Sequence, residues 1–210
     1  MKDSYTQPIK GYFKVESFDY KNNLLETFEE ENLIVDTARP NMAELIAGVS
    51  SGVPINKFVI GTEGVVNNNI AVAKSISSGL DSTRTKLFAE ETVDGGTSYS
   101  ITFAGSGNNT GTRAVSREEE FNSGIVAAGT TKITTAVVSS VSITATTDTK
   151  TVTYVVTIPP TVANYGDGTN GIYFSEAGFY AGSRLFNIKT FQGIKKDNTS
   201  TLVITWTLSF

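Results

Sequence analysis

The sequence contains neither cysteine nor histidine. Without cysteine there is no disulfide and no thiolate metal site. Without histidine the commonest general base, proton shuttle and metal ligand is missing, and most zinc and haem chemistry goes with it. Charged residues are only 18% of the chain, and the net charge of -4 with a pI near 5.0 is opposite in sign to the basic surface that nucleic acid requires. No apolar run reaches the length of a membrane span. Met1-Lys2-Asp3-Ser4 leads into polar residues with no apolar stretch of the signal-peptide kind. These absences predict a product of the cytoplasm that binds no nucleic acid and inserts into no membrane.

What fills the chain instead is small and neutral: 29 Thr, 20 Ser and 19 Gly among 210 residues. Threonine suits a pleated, half-exposed surface, and glycine and asparagine suit turns. The length accommodates one β-rich core, and no Pro/Gly linker divides it, so a single domain over 1–210 is expected.

The strand period is clearest in the last ten residues. Leu202, Ile204, Trp206, Leu208 and Phe210 alternate with Thr201, Val203, Thr205, Thr207 and Ser209, which predicts a strand with one buried face. Trp206 is the sole tryptophan. Lys10–Phe18 and Leu24–Glu30 flank Asp19-Tyr20-Lys21-Asn22-Asn23, a hairpin pattern. Ala38–Ala47 predicts a short helix capped by Asp36 or Thr37, with Pro40 in its first turn, Gly48 after its end, and Met42, Leu45 and Ile46 as its apolar face. Ile55–Thr62 reads as a buried strand. Two more strands, Thr85–Thr92 and Thr97–Ala104, are expected around the turn Val93-Asp94-Gly95-Gly96. Lys132–Thr146 and Lys150–Ile158 form a further hairpin around Thr147-Asp148-Thr149, stopped by Pro159-Pro160. Three strands fill Gly171–Phe210. Polar stretches at 63–83 and 105–130 are too long to be simple turns and predict surface excursions that reach neighbouring subunits. Short strands, one early helix and Gly/Asn-rich turns together predict a mainly β fold, an antiparallel sandwich of jelly-roll type.

Candidate chemistry is sparse. Gly105-Ser106-Gly107-Asn108-Asn109-Thr110-Gly111 has neither the dinucleotide spacing nor the following Lys-Ser/Thr of a phosphate loop. Asp94, Asp167 and Glu118-Glu119-Glu120 lack the spacing of a calcium loop. No metal or cofactor is therefore expected. Glu176 stands out inside Ile172-Tyr173-Phe174-Ser175-Glu176-Ala177-Gly178-Phe179-Tyr180. Strict alternation places it on one face with Ile172, Phe174, Gly178 and Tyr180. Such a carboxylate must have partners. Backbone N–H groups, Arg184 or a lysine are the choices, because no second placed acid or histidine marks an acid–base pair.

The order of short motifs resembles the C-terminal region of tailed-bacteriophage virion proteins of the tail-fibre, collar and baseplate-associated kind. The residues that carry the resemblance are Glu176, Gly178 and Phe179, then Leu185-Phe186, Phe191, Ile194-Lys195-Lys196 and a closing strand through Trp206. Asn32-Leu33-Ile34-Val35, a helix ending Leu45-Ile46-Ala47-Gly48 and Ile55–Gly61 fit the same plan near the N-terminus, whereas 94–131 departs from it. The resemblance implies a non-enzymatic structural part of a virion, in the tail, collar or fibre-attachment region. Its partners would be copies of itself, as a ring or trimer, and other virion proteins. The residues it marks, Glu176, Gly178, Phe179, Arg184, Leu185, Phe186 and Trp206, would be structural. A capsid decoration or head-fibre protein is the nearest alternative. A carbohydrate-binding module is another, with Tyr99 or Tyr165 as a platform for a host-surface glycan.

Overall fold

The computed structural model describes residues 9–91, 98–102, 111–116, 135–147, 150–160, 163 and 171–210, with 101–102, 111–116 and 135–146 described by backbone alone. The turn at 93–96, most of the 105–130 excursion, Asp148 and the residues Asp94, Glu118, Glu119, Glu120, Tyr165 and Asp167 lie outside the described residues.

The first hairpin, β1 (Lys10–Phe18) and β2 (Leu24–Ile34), forms where the alternation predicts it. Its turn is held by Asp19, whose Oδ1 accepts the N–H groups of Lys21 and Asn23 at 2.8 Å each, with Asn22 in the left-handed region. Helix α1 (Ala38–Ile46) follows, with Thr37 at its N-cap position. The Thr37 hydroxyl does not cap it, however, but donates to the Leu185 carbonyl at 2.5 Å. Nor is the expected apolar face the buried one. Ala38 and Asn41 are buried, Asn41 exchanges two hydrogen bonds with the backbone of Val53, and Leu45 and Ile46 are exposed.

The remaining strands are β3 (Lys57–Gly61), the short hairpin β4 (Val65–Val66) and β5 (Asn69–Ala73), then β6 (Ser98–Thr102), β7 (Gly111–Ser116), β8 (Thr135–Thr147), β9 (Thr151–Ile158), β10 (Ile172–Ala181), β11 (Arg184–Lys196) and β12 (Thr201–Ser209). The expected strand at 85–92 is instead a short helix, α2 (Phe88–Glu91), and Gly111–Arg113, expected in a loop, opens β7.

All strands but β4 and β5 join one antiparallel ladder ordered β1-β12-β9-β8-β7-β6-β3-β10-β11-β2, and the β1–β2 pairing closes it into a barrel. The mainly β, antiparallel expectation holds, but the ladder closes on itself and does not divide into two stacked sheets. Long-range pairs bring this about. β12 lies between β1 and β9 from Leu202 to Ser209, and β3 lies between β6 and β10. The seam between β11 and β2 is the thinnest, with only Asn187↔Ile34 and Ile188↔Leu33 in register.

Two apolar cores result. One fills the barrel, centred on Trp206. The indole meets Phe13 edge-on with ring centroids 4.7 Å apart and Phe179 at 5.2 Å. The other lies outside the barrel wall, where Val59, Tyr180, Leu185 and Ile188 pack with Val35 and Leu87 under residues 62–91. Leu202, Ile204, Trp206 and Leu208 are buried as their alternation predicts, but Phe210 is 53% exposed and lies beyond the strand. Trp206→Ala should therefore cost about 3–5 kcal/mol in urea unfolding, whereas Phe210→Ala should stay within about 0.5 kcal/mol of wild type. Equal effects at the two positions would contradict this placement of the core.

Candidate functional site

The most heavily constrained polar cluster sits on the outer face of β3 and β10, beneath the crossover from β3 to β6. It begins with a register shift in β10 between Phe174 and Glu176. Phe174 and, beyond the shift, Ala177 and Phe179 belong to the barrel core, while Tyr180 belongs to the outer one. Glu176 thus turns away from Phe174, and the face it was expected to share with Ile172 and Phe174 is split by the bulge at Ser175. It remains in line with Gly178 and Tyr180 on the outer side.

Glu176 has no exposed surface. Its Oε2 accepts the Phe88 N–H and its Oε1 the Ala89 N–H, both at 2.7 Å, and the Glu63 backbone adds a further bond. These are N–H groups at the start of α2, which no helix can satisfy internally. Glu90, three residues beyond Leu87, accepts the Leu87 N–H at 3.1 Å, the return bond of a capping box. The Tyr180 hydroxyl donates to the same Glu90 oxygen and accepts from Leu87 N–H at 3.2 Å. A carboxylate from β10 therefore supplies the cap that the local sequence before Phe88 does not.

Room for this side chain comes from two glycines. A Cβ at Gly61 would stand 2.7 Å from Glu176 Oε1, and one at Gly64 would stand 2.0 Å from the Ser175 carbonyl oxygen. Ser175 itself ties the crossover down, accepting the Gly64 N–H at 2.9 Å and donating to the Thr62 carbonyl at 2.8 Å. Farther along, Thr190 donates to the Lys74 carbonyl at 2.6 Å. Lys74 and Arg84 both lie over the Phe88 ring, at 4.0 and 3.6 Å from its centroid, and Arg84 pairs with Glu91 at 2.6 Å. The stretch 63–83, expected to reach out to a neighbour, is folded back onto its own barrel.

Burial pushes the Glu176 carboxyl up to about 7, against the lowering effect of the backbone N–H groups and of Lys74. Burial and the adjacent Glu90 likewise push the Tyr180 hydroxyl up. A carboxyl in this range could in principle exchange a proton near neutrality. Here both its oxygens are engaged by backbone and it is enclosed, so the arrangement holds a segment in place and offers no open side to a substrate. Lys196, at the far end of β11, is also fully buried; burial pushes its amine down to about 7, and Nζ donates to the Asp197 carbonyl at 2.7 Å.

The marked residues divide between the two cores. Glu176, Gly178 and Leu185 meet on the outer face, where the Cβ missing from Gly178 would stand 2.8 Å from Leu87. Phe179, Phe186 and Trp206 lie in the barrel. Arg184 joins neither group and pairs with Glu44 of α1 at 2.8 Å, not with Glu176. Tyr99 is buried, edge-on to Phe174 at 5.5 Å, and cannot serve as a sugar platform. Sequence reading missed Glu90, Leu87, Gly61 and Gly64; the one local signal was Leu87-Phe88-Ala89-Glu90, half of a capping box. Among the described residues no group of acids is placed to hold a metal ion, and no helix is long and apolar enough to cross a membrane.

A second feature is an apolar groove of about 300 Å³ at the barrel end where α1 meets β9 and β12. Met42, Leu45 and Ile46 of α1 face Tyr154, Leu208 and Phe210 across it. Comparison of the chain with family models, curated proteins and solved structures returns no match.

Two outcomes test the Glu176 assignment. Glu176→Gln keeps one acceptor for the α2 amides, whereas Glu176→Leu leaves both unmet at about 1–3 kcal/mol each, so unfolding free energies should fall in the order wild type, Gln, Leu. Because the folded state holds the Glu176 proton more tightly than the unfolded chain, the linked stability is complete below the ordinary value of 4.5 and is lost as pH rises through about 7. Denaturation midpoints measured across that window should decline in wild type and lose that component in Glu176→Gln. A leucine variant as stable as wild type would remove the structural role.

Proposed function

We propose that this chain is a non-enzymatic structural component of a tailed-bacteriophage particle, in the tail, collar or fibre-attachment region, acting through contacts with copies of itself and with other virion subunits. The observation that carries the reading is the contrast between how the chain uses its acids and its apolar residues. The buried acid, Glu176, is consumed by internal backbone bonds. At the groove beside α1, Ile46 is 88% exposed, and Leu45 and Phe210, which line it too, are also exposed. Exposed apolar surface gathered in one place marks a contact with another molecule, a protein partner among them. The motif order from Glu176 to Trp206 supports the choice of a virion protein. The burial of Tyr99 weighs against the carbohydrate-binding alternative.

A second copy seated on the α1 groove is the contact this reading requires, since virion parts are built on symmetry. Light scattering of the purified chain should give a closed oligomer, and Ile46→Asp should shift it to monomer with an unchanged circular dichroism spectrum. Density for this chain in electron micrographs of the particle then assigns its position. A wild-type monomer at all concentrations, together with no density in the particle, would overturn the proposal.

A further inference from the structure

The strand β2 is paired along one edge only over most of its length. From Leu24 to Asn32 it is in register with β1, but on the other side only Leu33 and Ile34 meet β11. Among the described residues, 24–32 has no ladder partner on that second side. The strand is also bare: Leu24 to Glu31 are exposed apart from Phe28. A free strand edge of this kind is a ready template for another chain.

Its charge narrows what can use it. Glu26, Glu29, Glu30 and Glu31 lie on this one stretch. Glu30 reaches across the open seam to Lys189 at 2.5 Å, and Glu29 is shared with Tyr12 and Lys14 across the β1 ladder. Glu26 and Glu31 have no ion-pair partner among the described residues. Pairing β2 with β2 of a second copy would set one acid row against the other, and like charges placed opposite each other destabilise a ladder. Strand addition supplies main-chain hydrogen bonds for affinity and leaves alternate side chains to select the partner. Charge complementarity here selects cations.

We propose that the free edge of β2, residues 24–32, is a strand-addition site for an extended, lysine- or arginine-bearing segment of another protein. The incoming strand pairs its backbone with β2 at the mouth of the β2–β11 seam. Cations at alternate positions, about 7 Å apart, meet Glu29 and Glu31 on one face, and those of the opposite set meet Glu26. This site is separate from the α1 groove and does not depend on the virion reading.

The probe is a synthetic peptide of the length of 24–32 in which lysine alternates with threonine and valine. Two controls accompany it, the same peptide N-methylated at alternate amides and a glutamate-for-lysine version. Fluorescence anisotropy should show binding by the lysine peptide that weakens with salt and by about tenfold in Glu26→Lys/Glu31→Lys. The N-methylated and acidic peptides should not bind. Hydrogen exchange should show new protection at alternate amides within Leu24–Glu31. Equal binding of the N-methylated peptide would mean charge adhesion without strand pairing. That result, absence of binding, protection elsewhere on the barrel, or a β2–β2 dimer of the chain alone would each overturn the proposal.

Discussion

One carboxylate ties the crossover at 62–91 to the wall of the barrel. Glu176 projects from a barrel strand and closes on the first amides of a helix about ninety residues earlier in the chain, Phe88 and Ala89. An acid without exposed surface raises the free energy of the fold unless its oxygens are fully hydrogen-bonded. Here the donors are main-chain groups at a helix start that would themselves lack partners without it. Each side therefore removes the other's desolvation penalty, and the segment from 62 to 91 is laid against the wall of the barrel as a consequence. Under it lie Val59, Leu185 and Ile188, which would otherwise face water.

The same strand serves both cores because successive side chains point to opposite faces, and a change of phase decides which residues go to which. The shift between Phe174 and Glu176 lets β10 send Phe174, Ala177 and Phe179 inward while Glu176 and Tyr180 turn outward. With unbroken alternation from Phe174, Glu176 would point into the aromatic interior with it, away from the α2 amides. The small residues follow from the same geometry. Gly61 sits opposite Glu176 in the β3–β10 ladder and leaves the space that its carboxylate crosses. Bulge, glycine and acid form one device distributed over three places in the chain.

What could be read from the sequence was the local part. Alternation located β1, β2, β9 and β12, and turn residues located the first hairpin. The apolar face of β12 identified Trp206 as a core residue, and the need for partners put backbone N–H groups among the choices for Glu176, beside Arg184 and a lysine. What could not be read depended on residues far apart. The ring also needs β1 to pair with β12, nearly two hundred residues later, and no periodicity reports such a pairing. The residues of α2 read as a strand because Leu87 and Phe88 are strand-like and the helix cap comes from β10, far along the chain. Alternation extended through Ser175 put Glu176 on the wrong face, since a bulge leaves no mark in a hydrophobic pattern. Tyr99 and Phe210 exchanged roles for a similar reason: burial depends on which neighbours the topology delivers.

The central claim is that the Glu176 carboxylate makes the 62–91 crossover part of the cooperative fold. The measurement closest to it is native-state hydrogen exchange at the Phe88 and Ala89 amides, compared with Phe179 in the barrel wall, whose N–H is held by Asn187 at 2.9 Å. The account predicts that the two α2 amides exchange only through global unfolding, with the same opening free energy and the same denaturant dependence as Phe179. Exchange at Phe88 and Ala89 through a low-energy local opening, while Phe179 stays protected, would contradict it.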